Sequence, residues 1–199
     1  PYTVFTPYAR KWRARFTADM AQAFPSEKHL DLLWRTSPLP FPTHAELGFT
    51  PTDLKEPAIE VEDGLIRNYA YTRNIPGVEG TSRMSVHLRF GTVSVRALLR
   101  QALSLSETYV NELIWREFYM QVLWHFPHVV GGSFKPAYDR IPWRNDEQHV
   151  QAWCDGRTGY PLVDAGMREL LATGHMHNRV RMVVSSFLTK HLLIDWRLG

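Results

Sequence analysis

The chain has 199 residues, with 23 Lys and Arg against 20 Asp and Glu, 44% hydrophobic residues, 13% aromatics and a single cysteine. Such a composition folds around a core rather than staying disordered, and one cysteine, Cys154, excludes an internal disulfide framework and an all-cysteine zinc site. No run approaches the ~20 apolar residues of a membrane-spanning helix and no leader opens the chain, so the expectation is a soluble, cytoplasmic monomer that begins, without Met, as a piece of something longer.

Eight of the 13 prolines lie in the first 57 residues, which sets residues 1–58 apart as a connector region holding one helix. Thr6-Pro7 predicts the start of that helix, with Thr as cap and Pro where no amide partner is needed. Tyr8, Trp12, Phe16 and Met20 recur every fourth residue beside Arg10, Lys11, Arg13 and Arg15, an apolar stripe with a basic flank. Five prolines between Ser37 and Pro57 then exclude continuous helix or central strand.

Residues 59–199 read as a helical domain, without a run of alternation long enough for a sheet. The predicted helices are Thr81 to Phe90, Ser94 to Leu103, Glu107 to Phe126, Asp146 to Cys154, Pro161 to Ala172 and Met176 to Trp196, punctuated by glycines. Charge divides as well: residues 1–80 hold nine basic and ten acidic side chains, residues 81–199 fourteen and ten. That mild basic excess is compatible with a polyanionic partner and is also common in proteins without one.

Three segments stand out in this half. Thr81, Ser82, Arg83, Met84 and Ser85 place three hydroxyls and a guanidinium at the expected start of a helix, which suits either a cap or a phosphate site. Between Tyr109 and Tyr119, Val110, Leu113, Ile114, Phe118 and Val122 share one helical side. Glu112, Trp115, Arg116 and Tyr119 share the other. An aromatic pair interleaved with a carboxylate and a guanidinium reads either as shoulders of the core or as a surface that stacks on something flat. In the third segment, Asn178, Arg181 and Met182 lie beside Val180, Val183, Val184 and Phe187, so the polar pair needs partners or a ligand. His175 and His177 lie about 200° apart on a helix and cannot close on one ion, so no metal is expected.

In this order, Thr81-Ser-Arg-Met-Ser85, Asn111-Glu-Leu-Ile-Trp-Arg-Glu-Phe-Tyr119, Thr158-Gly-Tyr-Pro161, His177-Asn-Arg-Val-Arg-Met182 and Leu193-Ile-Asp-Trp196 resemble the helical FAD-binding domain of the photolyase and cryptochrome family. The closest resemblance is to class I cyclobutane pyrimidine dimer photolyases, with weaker matches at Tyr2 to Pro7, Tyr69 and Arg73. It implies an all-α flavin domain, incomplete at its C-terminus and preceded by the Pro-rich connector. The family's antenna domain and its chromophore, and further flavin and lesion contacts, would then lie outside this sequence.

The implied substrate is DNA containing pyrimidine dimers, repaired by an electron from light-excited reduced FAD; a cryptochrome-like photosensor and a piece without independent activity are the alternatives. The resemblance places FAD against Tyr69, Thr81, Ser82, Arg83, Met84, Ser85, Tyr109, Arg116, Asn178 and Arg181. It assigns the lesion pocket to Glu112, Trp115, Asn178 and Met182, and DNA contacts to Arg73, Tyr119 and Arg179 as well. Asn178 and Met182 stand where photolyases of the (6-4) kind carry a His pair for proton chemistry, which favours the cyclobutane dimer. Trp143 and Trp196 match an electron-transfer path to the flavin. Tyr109 and His175 depart from the pattern, each standing where class I members commonly have Trp.

Overall fold

The computed structural model describes residues 1–199 and contains eight α-helices joined by 3-10 turns and loops, with no strand. They are α1 (Phe5–Arg15), α2 (Asp63–Thr72), α3 (Ser85–Phe90), α4 (Val95–Leu103), α5 (Glu107–His125), α6 (Glu147–Cys154), α7 (Pro161–Thr173) and α8 (Asn178–Ser186). Side chains cap where the sequence offers them: Ser94, Ser106 and Asp146 each accept from the amide three residues on, and left-handed Gly91 and Gly174 end α3 and α7. The all-α expectation therefore holds, and no helix is long and apolar enough to cross a membrane.

Apolar burial is divided between two cores. The first gathers Ala9, Ala21, Ile66, Met84, Leu98, Leu99, Ala102 and, from α5, Tyr109, Val110, Leu113 and Ile114. The second gathers Trp153, Val163, Met167, Met176, Val180, Val184, Phe187, Leu188 and Ile194 around the α7–α8 pair. Arg179 of α8 reaches from the second layer to the first, its Nε donating to Asn74 Oδ1 at 2.8 Å just beyond α2.

Helix α1 lies across the connector stretch from the domain yet packs directly on α5. Glu117 of α5 receives Tyr8 Oη at 2.8 Å and Trp12 Nε1 at 2.9 Å, and Arg13 donates to Asn111 at 2.9 Å. Burial first, then the Glu117 hydrogen bond and charge, push the Tyr8 phenol well above its ordinary pKa. Residues 33–42, which include three of the chain's prolines, form no helix or strand and leave Trp34 and Phe41 about nine-tenths exposed, at 90% and 91%.

Several boundaries differ from those expected. α1 starts at Phe5, so Thr6 and Pro7 sit inside its first turn, where amides have no intrahelical partner anyway; it ends at Arg15, and Met20 falls in the 3-10 turn Ala18–Ala21. α2 was not among the predicted helices. The last predicted helix stops at Ser186 and passes through a π-turn, Phe187–His191, before Leu193 takes a left-handed φ of 53°. That reversal inserts Ile194 fully into the second core and brings Asp195 N to Asn145 Oδ1 at 2.7 Å, contacts that a continuous helix would carry away.

Candidate functional site

The segment expected to begin a helix is instead a loop. Arg83 has φ of 51°, which no helical residue adopts, and α3 is confined to six residues from Ser85. Residues 81–84 therefore offer a phosphate side-chain donors and no helix N-terminus. Gly80 fixes the loop against α2, because a Cβ there would lie 2.5 Å from Thr72 Cβ, and Thr72 Oγ1 donates to Gly80 O at 3.4 Å. Thr81, Ser82 and Arg83 are half-buried, Ser85 is exposed, and Met84 turns into the first core. Arg83 Nη2 reaches Glu79 at 3.2 Å, while its Nε is buried without a protein partner.

Tyr109, at the first turn of α5, is 3% exposed and donates to Ser82 Oγ at 2.8 Å. Its ring meets Tyr69 edge-on at 5.0 Å, and Arg73 lies 5.5 Å from the centre of the Tyr69 ring. Arg73 in turn pairs with Glu112, one turn further along α5, whose side chain is still 35% exposed. Burial raises the Tyr109 phenol, with the Ser82 hydrogen bond opposing. For Tyr69 burial acts with the Glu112 charge, partly offset by Arg73, pushing it up to about 12.

Both readings of the Glu112, Trp115, Arg116, Tyr119 face find support. Trp115 stacks on Phe5 of α1 at 3.6 Å with planes 5° apart, which ties it to the core edge. It also remains half-buried and stacks with Tyr119 at 5.6 Å, and Tyr119 is 63% exposed. Arg116 points to the loop side, donating to Leu88 O of α3 at 3.1 Å.

At the second layer, Asn178, Arg181 and Met182 are exposed on α8. Arg179 is held by Asn74 and, at 3.4 Å, by Met182 Sδ. His177 is buried and caps α8, its Nδ1 accepting from Arg179 N at 3.2 Å, which gives it a structural task. His175 is half-buried, and its pKa is lowered first by burial, then by the charges of Arg83, Arg181 and His177, with Glu169 opposing. Arg83 of the first layer and Arg181 of the second therefore act on one side chain.

Trp143 and Trp196 occupy neighbouring chain segments, since Arg144 N donates to Leu193 O at 2.7 Å and Asn145 takes the Asp195 amide. Trp143 is half-buried with Nε1 unpaired, and Trp196 is 42% exposed. The Thr158-Gly-Tyr-Pro161 segment is an architectural device: Asp164 accepts from Thr158 N at 2.7 Å, Thr158 Oγ1 at 2.6 Å and Gly159 N at 3.0 Å. These bonds hold the Asp164 carboxyl below the usual carboxylate range and seat Pro161 at the first position of α7. Sequence reasoning missed Glu117 and Asn74; neither has a local pattern, because each finds its partner about a hundred positions away.

Residues 109–199 match the family model described as the FAD binding domain of DNA photolyase. Over its whole length the chain is similar to the deoxyribodipyrimidine photo-lyase of Halobacterium salinarum, with 42% identity and 46% of that relative covered. The structure is similar to that of a bacterial class III photolyase from Agrobacterium tumefaciens, with a TM-score of 0.81 and 34% identity over 99% of this chain and 45% of the other. It is also similar to a Synechocystis cryptochrome, with a TM-score of 0.67 and 29% identity over 82% of this chain and 39% of the other. The chain thus spans about half the length of the curated relatives it matches.

Proposed function

This chain belongs to the photolyase and cryptochrome family, and on that premise we propose that it carries the flavin and lesion site of a light-driven enzyme repairing cyclobutane pyrimidine dimers in DNA. One helix supports the reading above all: α5 presents Tyr109 to the hydroxyl loop, then the partly exposed Glu112 and Trp115 within two turns. Cofactor and substrate residues thereby share one rigid element, which is how a constellation is held to catalytic tolerance. Class I character is part of the same proposal, since the fold also matches a class III enzyme.

The donors present fit the diphosphate of FAD. Thr81, Ser82 and Ser85 supply hydroxyls, Arg83 has a buried Nε with no protein partner, and Arg181 adds charge from α8. Tyr109, packed against Tyr69, braces that loop through Ser82, Met84 anchors it in the first core, Arg116 ties α5 to α3 beside it, and exposed Asn178 would serve both ligands. When bound and reduced, FAD supplies the photoexcited electron that splits the two bonds joining the bases, and recovers it afterwards.

The protein's own groups bind and orient. Glu112, held by Arg73, accepts hydrogen bonds from the imide N–H groups of the flipped-out bases. Trp115, backed by Phe5, offers a stacking surface continued by Tyr119. Met182 brings no exchangeable proton, which suits the cyclobutane lesion. Arg179 retains Nη2 for a DNA phosphate, and Arg73 adds charge beside Glu112. Trp143 and Trp196, on segments joined through Arg144 and Leu193, would carry part of the path by which an oxidised flavin is re-reduced. A photosensor reading draws on the cryptochrome likeness alone; Glu112, Trp115, Asn178 and Met182 kept together favour repair.

The test is illumination of the full-length protein, with reduced FAD, on an oligonucleotide holding one thymine dimer. Conversion to free thymines is expected, and a persistent dimer overturns repair. Glu112→Ala should weaken dimer binding about 10- to 100-fold, the range of a lost hydrogen bond to a charged group. It and Trp115→Ala should leave flavin absorbance intact; parallel loss of flavin would mean that this face serves the cofactor instead.

A further inference from the structure

Tyr109 stands where the resembling enzymes commonly have Trp, and its burial leaves little of it for direct contact with a ligand. A buried phenol requires a hydrogen-bond partner, and the one it has is Ser82 Oγ, 2.8 Å away. We propose that Tyr109 is a positioning residue whose phenol holds the Ser82 hydroxyl so that the remaining Ser82 proton is offered to a phosphate oxygen of the flavin dinucleotide. The inference rests on the flavin-binding reading above and deepens it.

A hydroxyl has one hydrogen to donate and two lone pairs with which to accept. The phenol is the more acidic of the two hydroxyls, so it donates and Ser82 accepts. One lone pair of Ser82 is then occupied and its own hydrogen is directed elsewhere. Burial keeps Tyr109 protonated, and hence a donor, throughout the neutral range. The ring cannot swing away, because Tyr69 packs edge-on against it and is itself covered by Arg73.

The next residue of the loop is already committed to an unusual shape. Arg83 holds a left-handed φ of 51° and leaves Nε buried without a partner, so the same stretch presents a cation as well as an oriented hydroxyl. A loop whose donors are fixed before binding loses less freedom when an anion arrives. Tyr109 is thus one link in a continuous set of contacts running Ser82, Tyr109, Tyr69, Arg73 and Glu112, from the cofactor loop to the lesion-facing carboxylate.

The test compares FAD with riboflavin, which lacks phosphates, as ligands of the full-length protein, with affinities read from flavin fluorescence. Tyr109→Phe should weaken FAD about five- to tenfold, the scale of one lost hydrogen bond, with riboflavin binding unchanged. Ser82→Ala should do the same, and the double variant should lose no more than either alone. Equal loss for both flavins would assign Tyr109 to packing, and FAD affinity equal to wild type, or additive losses in the double variant, would equally overturn the proposal. Should Tyr109→Phe fail to fold, Ser82→Ala decides: an unchanged FAD-to-riboflavin ratio overturns the inference. A wild-type protein that binds no FAD would refute the flavin reading itself.

Discussion

His175 shows how much of a residue's chemistry lies outside its own segment. Burial and the facing charges of Arg83, Arg181 and His177 disfavour its protonation, and Glu169 only partly compensates. Its folded pKa lies below the unfolded 6.5, so the unfolded chain binds the proton more readily. Stability from this group is complete above that value and falls as pH drops from there toward the folded pKa. Thermal unfolding followed between about pH 7.5 and 5.5 should show the midpoint falling on acidification, and His175→Gln should flatten that slope. The same lesson applies to Glu112 and Arg73, which the sequence nominated separately for DNA and which the fold pairs. Identity marked them as candidates; partnership came from α2 meeting α5.

Among the elements, α7 and α8 are the closest packed. A Cβ at Gly166 would fall 2.5 Å from Val180 Cγ1 and 3.1 Å from Val184 Cγ2, and β-branched side chains in a helix have one favoured rotamer and little room to yield. Gly166→Ala gains ~1 kcal/mol of helix propensity but incurs an overpacking cost of ~1–3 kcal/mol, so a net loss of about 1 kcal/mol is expected in urea unfolding. A more stable variant would mean that the helices separate freely. Helix interiors were legible from periodicity, as in α4, α5 and α7. Termini were less so: Thr81–Met84 and Leu192–Asp195 have helix-compatible residues but leave the helix at left-handed Arg83 and Leu193, where Ser82 meets Tyr109 and Asp195 meets Asn145 far along the chain. α2 escaped notice because its apolar face is short, with Leu65, Ile66 and Tyr69 its inward side chains.

On the scale of the molecule, the candidate flavin residues come from both layers: Thr81 to Ser85 beside the first core, Asn178 and Arg181 on the second. A ligand held by both should couple them. FAD at about 100 times its Kd should stabilise the full-length protein by about 2.7 kcal/mol, and hydrogen exchange should slow in the 81–85 loop and at the start of α8 together. Protection confined to one of the two would show that the layers do not share the ligand. The sequence by itself determined the helical class, the stripe of α5 and the order of motifs that carries the family, because periodicity and short motifs are properties of neighbouring residues. Only the tertiary structure decided that Phe5 backs Trp115, that Tyr109 holds Ser82, that Arg179 ties to Asn74 and that the aromatic wealth of α1 is spent on Glu117. Each of these contacts spans from 27 to 110 positions along the chain, and separations of that size leave no periodic trace.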